Sequence, residues 1–252
     1  MELKKQFKDD GFIQYESINI NDNDMSYLQQ EFKSLELDPF RPNETLRYRC
    51  YGNALIFPWE DELKVKWIPS KNINNKNLSG YDQGGNNPEH GSMRYFASIN
   101  EKVKRTSFLN ALVIEDYKLT FGFENLSLPV YVGIHFVKLY STDMSLPSIS
   151  SPDCFHQDGE LFTFGHLVYR SENTDGGVNY IACTTQRNLR LEDVDQSKII
   201  SSFTLKNFGD SFAVHDPDVC HYVSPITPKK NEIKSAERWI ILIDFSKTKQ
   251  DI

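Results

Sequence analysis

The segment Cys154-Phe155-His156-Gln157-Asp158 carries a histidine and an aspartate two residues apart. Side chains alternate along an extended strand, so His156 and Asp158 would project from the same face. An imidazole nitrogen and a carboxylate oxygen at that spacing supply two of the three ligands of a two-histidine, one-carboxylate site for non-haem Fe(II). Because an isolated His-x-Asp pair is common by chance, its value depends on a second histidine and an anion-binding group further along the chain.

Two histidines near residue 220 are candidates for the third ligand. His215 is followed by Asp216-Pro217, which predicts a turn. His221 lies within Val219-Cys220-His221-Tyr222-Val223, a short apolar strand whose neighbours could bury it. We therefore choose His221; if His215 held the metal instead, His215→Ala rather than His221→Ala would abolish activity.

Arg238 opens the last apolar segment of the chain, Trp239 to Phe245. A guanidinium group at the start of an apolar strand is half-buried, which costs free energy unless the charge is paired. Its planar fork suits a carboxylate. An ion pair with Glu237 would explain an isolated arginine, but downstream of a predicted metal site an anion clamp is the better interpretation.

Composition limits the classes of protein that the chain can belong to. It has 252 residues, of which 39% are hydrophobic and 25% charged, with a net charge of −7. Nucleic acid and anionic membranes bind basic patches, so neither is expected as the main partner. No apolar run approaches the length of a membrane span, residues 1–10 lack the apolar core of a signal peptide, and the expected location is cytoplasmic. The four cysteines form no C-x-x-C pair and are expected to be small buried hydrophobic residues.

The first half of the chain predicts a mixture of helices and strands around one irregular stretch. Helices are expected at 3–10, 24–37 and 107–117, and strands at 12–15, 47–52, 54–58, 93–99 and 118–123. Residues 69–92 are rich in Asn, Gly and Ser and have little periodicity, which indicates a long surface loop. Such a loop is either a substrate-binding loop or lid, or a mobile insertion without a role.

The second half predicts short strands at 129–140, 162–169, 177–182, 199–205, 210–214, 219–223 and 238–245. Strands this short and this regularly interrupted favour a mainly β fold with flanking helices (α+β), built on a double-stranded β-helix or jelly-roll core. We expect a single domain over residues 1–252. Its helical N-terminal part would span 1–125 and include the 69–92 loop, and its jelly-roll core would span 126–246.

The chain resembles the bacterial Fe(II)- and 2-oxoglutarate-dependent dioxygenases of the L-isoleucine 4-hydroxylase family. The specific part of this likeness consists of His156-Gln157-Asp158, Gly176-Gly177-Val178-Asn179, His221-Tyr222-Val223-Ser224-Pro225 and Arg238 in the final strand. Weaker likenesses are found at Lys5–Ile13, Arg94-Tyr95-Phe96-Ala97-Ser98-Ile99, Gly133-Ile134-His135-Phe136-Val137-Lys138 and His166. Lys138 stands where the family has an arginine, and the 70–92 loop differs, so the resemblance leaves the substrate undefined.

The resemblance implies that His156, Asp158 and His221 bind Fe(II). Arg238 would bind the distal carboxylate of 2-oxoglutarate, with Ser224 as a hydroxyl partner. The implied reaction uses O₂ to hydroxylate a free L-amino acid at an unactivated carbon, while 2-oxoglutarate is decarboxylated to succinate and CO₂. Asp158 favours hydroxylation, because related halogenases lack this carboxylate ligand; sulfoxidation of a thioether substrate stays open.

For the amino acid, the resemblance makes Arg94 the first choice to bind the α-carboxylate and places His135 and His166 in the pocket. Weaker basic candidates for the carboxylate are Arg47, Arg49 and Lys138, and Glu160 could meet the amino group. Each of these residues also has an ordinary structural explanation. A strand histidine is usually hydrogen-bonded within the core, and the two arginines of the 47–52 strand suit a solvated sheet edge.

Two other classes of protein fit parts of the pattern. A cupin-like metal protein without oxygenase activity, such as an isomerase, hydrolase or sensor, would use the same three ligands but would not need Arg238. A β-sandwich interaction protein would need neither the metal nor its histidines. Combined binding of Fe(II) and 2-oxoglutarate separates the dioxygenase from both alternatives.

Overall fold

The computed structural model describes residues 2–42, 44–83, 89, 93–121, 127–150, 152–230 and 234–247. Its α-helices are α1 (Glu2–Asp10), α2 (Asp22–Ser34), α3 (Glu101–Lys104) and α4 (Ser107–Leu119). Its strands are β1 (Phe12–Glu16), β2 (Leu46–Ile56), β3 (Lys66–Trp67), β4 (Lys71–Ile73), β5 (Lys76–Tyr81), β6 (Arg94–Ala97), β7 (Val130–Ser141), β8 (Phe162–Arg170), β9 (Thr174–Gly176), β10 (Asn179–Cys183), β11 (Ile199–Phe203), β12 (Asp210–His215), β13 (Val219–Val223), β14 (Ile226–Pro228) and β15 (Ala236–Ser246). Among the described helices, none is long and apolar enough to span a membrane.

Two antiparallel sheets form the centre of the molecule. The larger has seven strands in the order β1-β12-β8-β15-β7-β2-β3, and the smaller has the order β11-β10-β13. One apolar cluster joins their inner faces, since Val137 and Ile240 of the large sheet pack with Ile181 and Val219 of the small one. The predicted mainly β fold class, with flanking helices and a jelly-roll core, is confirmed.

The long strands β2, β7 and β15 present one face to the helices and the other to the small sheet. On the helix side, Phe32 of α2 stacks between Phe136 and Trp239, with ring centroids 5.2 and 5.3 Å apart. Because side chains alternate, His135 and Arg238, each one residue away from these aromatic rings, project toward the small sheet. The phase of each strand therefore decides which of its residues can reach a site between the sheets.

Helix boundaries follow the capping residues. Asn21 accepts a hydrogen bond from the backbone N–H of Asp24 and caps α2, so the helix begins at Asp22 rather than at the predicted Asp24. Thr106 caps α4 in the same way. The strand predicted at 118–123 is wrong at its start, because α4 continues to Leu119; residues 122–126 lie outside the described residues.

The long loop predicted at 69–92 is wrong over residues 71–81, where β4 and β5 form a hairpin. Asn74 and Asn75 join the strands with φ values of 52° and 62°. Asparagine tolerates this left-handed conformation, which tight hairpin turns require. The Asn-rich composition thus marks a turn inside an ordered element, and β5 continues the sheet to β6. Residues 84–88 and 90–92 lie outside the described residues.

The N-terminal half contributes directly to the large sheet. Strand β1 pairs with β12, and β2 pairs with β7 over its whole length. The two strands predicted at 47–52 and 54–58 are therefore one strand. The predicted division into a helical part and a jelly-roll core at residue 125 does not match this sheet, since β1, β2 and β3 are three of its seven strands.

Candidate active site

His156 and His221 hold each other in place through their backbones. Each backbone N–H donates to the carbonyl oxygen of the other residue at 2.9 Å, which forms an isolated antiparallel bridge. His221 itself lies on β13, where it pairs with Ile181 of β10. The two imidazole rings are consequently close together, with centroids 4.3 Å apart.

Asp158 completes a compact set of three ligand atoms. Its Oδ1 lies 3.5 Å from Nε2 of His156, and its Oδ2 lies 3.4 Å from Nε2 of His221. The three ligand atoms all lie within 4.8 Å of one another. Two imidazole nitrogens and one carboxylate oxygen at this separation fit a divalent iron ion that keeps further positions for other ligands.

Hydrogen bonds and charge set the protonation of these groups. Nδ1 of His156 donates to the carbonyl oxygen of Cys154 at 3.0 Å, which leaves the Nε2 lone pair available to a metal. Burial lowers the pKa of His156, but its hydrogen bond to Asp158 and the charge there outweigh burial and raise it. Burial and the charge of His156 lower the pKa of His221 to about 4. Burial opposes ionisation of Asp158, yet the two histidines bring the pKa of its carboxyl well below the usual range.

Asp216 holds the loop that carries Asp158. Its carboxylate oxygens accept the backbone N–H groups of Asp158 at 2.9 Å and Gly159 at 2.8 Å, and its carbonyl oxygen accepts from the side chain of Gln157. Asp216 is only 4% exposed. Gly159 has a φ of 85°, a conformation that glycine adopts without strain. The sequence predicts only a turn at Asp216-Pro217 and carries no separate signal for this contact.

Arg238 occupies the wall of the same cavity and is 2% exposed. Its Nε and Nη2 have no hydrogen-bond partner among the described residues. Arg170 lies directly across from it on β8, and burial together with that charge lowers the pKa of Arg238 to about 9. Gly177 leaves room for the arginine, since a Cβ there would lie 3.3 Å from its Cδ. Two facing guanidinium groups with unpaired nitrogens fit the carboxylate of a dicarboxylic acid such as 2-oxoglutarate.

The opposite end of the cavity is built around Arg94 of β6. Its guanidinium carbon lies 5.0 Å from the ring centroid of Tyr81 and 5.7 Å from that of Phe96. Arg94 donates to the side-chain oxygen of Gln83, and Nε2 of Gln83 donates to Oδ1 of Asp158 at 3.3 Å. Gln83 thereby connects the first-choice substrate arginine to the metal ligand.

Arg47 and Arg49 both face the cavity from β2 but differ in their partners. Nε of Arg47 donates to Asp38 at 2.7 Å in a buried ion pair. Among the described residues Arg49 has no carboxylate partner, and its Nη2 lies 2.7 Å from Nδ1 of His135. Burial and the charge of Arg49 lower the pKa of Arg94 to about 10. The solvated sheet edge suggested for these arginines is wrong, because both side chains are buried.

His135 lies on the cavity wall, where the sequence analysis expects it. Its Nε2 is 3.0 Å from Oδ2 of Asp244. Thr163, on the neighbouring strand β8, donates to Oδ2 of Asp158 at 2.9 Å. The sequence analysis misses Asp244 and Thr163. Asp244 carried a usable signal, because it lies an even number of residues after Arg238 on one strand and therefore shares its face.

His166 lies on the opposite face of β8. Its Nε2 is 2.7 Å from Oδ2 of Asp116 in α4, and its Nδ1 is 2.9 Å from Oγ of Ser211. The prediction that His166 lines the substrate pocket is wrong. Thr163 faces the cavity, and a residue three positions further along a strand projects to the other side.

Ser224 does not lie on the cavity wall that the described residues form. Its Oγ accepts the backbone N–H of Val178 at 3.0 Å, which ties the end of β13 to the start of β10. The predicted role of Ser224 beside 2-oxoglutarate is therefore not supported. The rejected third ligand, His215, packs against Phe121 and Phe162, with ring centroids 4.6 and 4.8 Å apart, and its Nδ1 lies 2.7 Å from Oδ2 of Asp218.

Two weaker candidates for the substrate are not part of the cavity wall that the described residues form. Lys138 projects from the helix side of β7, where its Nζ lies 4.4 Å from the ring centroid of Tyr48. Glu160 is buried but does not belong to the wall formed by the described residues. The basic residues at the substrate end of the cavity are thus the arginines of β2 and β6.

A band of apolar residues also lines the cavity wall. The cavity, with its open mouth, encloses about 860 Å³. Its apolar wall residues are Val137, Ile181, Phe212, Ile240 and Leu242. A site of this kind suits a ligand with charged ends and an apolar middle, and it keeps water from the space beside the metal.

Comparisons with known proteins agree with this geometry. Residues 29–244 match the family model described as 2OG-Fe dioxygenase. The chain is 26% identical to L-isoleucine-4-hydroxylase of Bacillus thuringiensis over 179 residues, which are 70% of this chain and 72% of that protein. The crystal structure of IDO from Bacillus thuringiensis has a TM-score of 0.74 and 22% identity, and the match covers 98% of this chain and 99% of the other. The Fe(II)/(alpha)ketoglutarate-dependent dioxygenase TqaL has a TM-score of 0.73 and 15% identity, with coverage of 100% and 88%.

Proposed function

The chain belongs to the 2OG-Fe dioxygenase family, whose cofactors are Fe(II) and 2-oxoglutarate, and we propose that it hydroxylates a free L-amino acid at an unactivated carbon. One observation carries the proposal. Two histidines, one aspartate and an arginine whose Nε and Nη2 have no partner among the described residues face the same cavity, together with further arginines that suit a second carboxylate. The name of the L-isoleucine-4-hydroxylase relative supports the choice of substrate class.

In this proposal His156, Asp158 and His221 hold the metal. When bound, Fe(II) and 2-oxoglutarate supply the oxidising power from O₂ that C–H hydroxylation requires, with succinate and CO₂ as by-products. Asp158 stays ionised and is oriented by hydrogen bonds from Thr163 and Gln83. The ligand residues thus keep their positions without help from the substrate.

Arg238 would bind the distal carboxylate of 2-oxoglutarate. Its guanidinium group offers Nε and Nη2 atoms that no described residue hydrogen-bonds, and Arg170 adds a second positive charge. A metal-binding jelly roll without oxygenase activity would have no use for this pair. The unpaired arginine therefore favours the dioxygenase over that alternative.

Arg94 would bind the α-carboxylate of the amino acid, as the family resemblance implies. The apolar band of the cavity would then pack against the aliphatic part of the substrate and hold its carbon near the metal ligands. The carboxylate ligand Asp158 favours hydroxylation over halogenation. Sulfoxidation remains the reaction to test for a thioether substrate, and a cytoplasmic location stays a prediction.

A succinate-release screen tests the proposal. Purified protein is incubated with Fe(II), ascorbate, 2-oxoglutarate and each free L-amino acid in turn, with His156→Ala as the control. We expect succinate to rise well above the uncoupled background with one or a few apolar amino acids and a product 16 Da heavier than the substrate. No increase with any amino acid, in protein that binds both Fe(II) and 2-oxoglutarate, would show that the substrate belongs to another class.

A further inference from the structure

Arg49, His135 and Asp244 form a hydrogen-bonded line across three neighbouring strands, β2, β7 and β15. Nη2 of Arg49 lies 2.7 Å from Nδ1 of His135, and Nε2 of His135 lies 3.0 Å from Oδ2 of Asp244. All three side chains are at least nine-tenths buried. All three residues also line the cavity, and Arg49 stands at one end of the line.

The chemistry of the groups fixes the direction of these hydrogen bonds. A guanidinium group only donates, so Nδ1 of His135 must accept from Arg49. Nε2 of the neutral ring then carries the proton and donates to Asp244. Burial and the charges of the nearby arginines lower the pKa of His135 well below its usual value, in agreement with a neutral ring.

Aromatic packing restricts Arg49 further. Its guanidinium carbon lies 4.5 Å from the ring centroid of Phe96, and the ring of His135 stacks on Tyr51 with centroids 4.2 Å apart. An arginine held from one side by a histidine and from another by a ring has little freedom to turn. Such an arginine is already oriented before a ligand binds.

Arg49 and Arg94 lie side by side and form a site that suits an anion. Both lie against Tyr81 and Phe96, with guanidinium-to-centroid distances between 4.5 and 5.7 Å. In each residue Nε is buried without a hydrogen-bond partner among the described residues. Two like charges this close are unfavourable until an anion joins them.

We propose that Arg49 is a second arm of the substrate-carboxylate site, and that His135 and Asp244 are positioning residues that hold it. This inference rests on the proposed function, in which an amino acid carboxylate enters this end of the cavity. A carboxylate accepts about four hydrogen bonds, so one group can take N–H donors from both arginines. Asp244 supports Arg49 through His135.

The test measures the dissociation constant of the best amino acid from the screen, under anaerobic conditions, with enzyme loaded with Fe(II) and 2-oxoglutarate. Arg49→Met should raise this constant roughly 10- to 100-fold, as loss of a charge-assisted hydrogen bond does. The affinity for 2-oxoglutarate should stay unchanged. Arg49→Lys keeps the positive charge but lacks the planar guanidinium group, so its dissociation constant for the amino acid should lie between those of Arg49→Met and the wild type. The control Lys138→Met changes a residue on the helix side of β7 and should bind the amino acid with the same dissociation constant as the wild type.

A double-mutant cycle tests the positioning role. Introduced alone, Asp244→Asn should raise the dissociation constant of the amino acid about 5-fold. Introduced into Arg49→Met, it should leave that dissociation constant almost unchanged. Equal effects in both backgrounds would contradict the role of Asp244. Unchanged amino acid affinity in both Arg49→Met and Arg49→Lys would overturn the second arm alone. If the wild-type enzyme binds 2-oxoglutarate but no amino acid, the proposed substrate class falls together with this assignment.

Discussion

The two ends of the cavity carry opposite charge. At the metal end, His156 and His221 surround the ionised carboxylate of Asp158, a group that attracts a cation. At the other end, Arg49 and Arg94 lie side by side against aromatic rings and attract an anion. Among the described residues, neither arginine forms an ion pair with a carboxylate, and the Asp158 carboxylate faces two histidines. The protein thus builds both halves of the site in advance, and a ligand completes each of them.

The ends also differ in how their groups are supported. Asp158 accepts hydrogen bonds from Thr163 and Gln83, and Asp216 fixes its backbone. The arginines are held mainly by ring faces and by single hydrogen bonds to neutral partners. We therefore expect changes at the metal end to abolish function and changes at the arginine end to alter affinity.

The largest effect is expected from His221→Ala. This variant removes one of three metal ligands, so we expect iron binding and succinate release to be lost, which a metal-content assay and the succinate assay measure. His215→Ala is the matched control, because His215 lies near in sequence but packs against Phe121 and Phe162. If His215→Ala lost iron and His221→Ala kept it, the ligand set proposed here would be wrong.

The next effect concerns stability and separates the two arginines of β2. Arg47→Met leaves Asp38 buried without its ion-pair partner, which should lower the free energy of unfolding by about 3–5 kcal/mol. Arg49→Met breaks no ion pair among the described residues and should cost about 1 kcal/mol. Denaturant unfolding measures both values. Equal losses in the two variants would show that Arg49 is a structural residue.

The difference in free energy of unfolding between the wild type and Arg47→Met should depend on pH. Burial opposes ionisation of Asp38, but Arg47 holds the pKa of its carboxyl below the usual value. Because the pKa of Asp38 is lower in the folded protein than in the unfolded chain, the ionised carboxylate stabilises the folded protein at pH values above the unfolded-state pKa. This stabilisation is lost as the pH falls through the folded-state pKa. The difference in free energy of unfolding between the wild type and Arg47→Met should therefore become smaller at acidic pH.

Arg238→Met should act on the cosubstrate alone. We expect the apparent dissociation constant of 2-oxoglutarate to rise about 30- to 100-fold, because a bidentate charged contact is lost, while iron binding persists. Calorimetric titrations with Fe(II) and with 2-oxoglutarate measure the two affinities separately. An unchanged 2-oxoglutarate affinity would remove Arg238 from the site.

The smallest effect is expected from Asp216→Asn. The amide keeps one accepting oxygen for the backbone N–H groups of Asp158 and Gly159, so the loop loses one of two hydrogen bonds. Loss of such an outer contact should weaken iron binding about 10-fold. Asp218→Asn, in the same turn but bonded to His215, should leave iron affinity unchanged.

Sequence reasoning reached the metal end more easily than the arginine end. His156 and Asp158 are neighbours in sequence, and His221 and Arg238 follow on apolar strands, so residue type and order were sufficient. His166 and Ser224 were misplaced because their positions depend on which face of a strand points inward. Only the register of the complete sheet determines that face.

The substrate end required tertiary structure for a second reason. Tyr81 ends β5, whose Asn-rich turn with β4 resembles an irregular loop, and Arg49 reaches His135 from a strand distant in sequence. No local pattern links such residues. Even so, the arginine pair of β2 was visible in the sequence, and the alternation that places both side chains in the cavity could have been read from it.

The most direct test of the central claim is an anaerobic titration of the Fe(II) protein with 2-oxoglutarate, followed by visible absorption. The account predicts a weak charge-transfer band that appears only when both ligands are present, is absent in His221→Ala, and needs much more 2-oxoglutarate in Arg238→Met. Absence of the band in wild-type protein that has bound its iron would contradict the claim that this site brings Fe(II) and 2-oxoglutarate together.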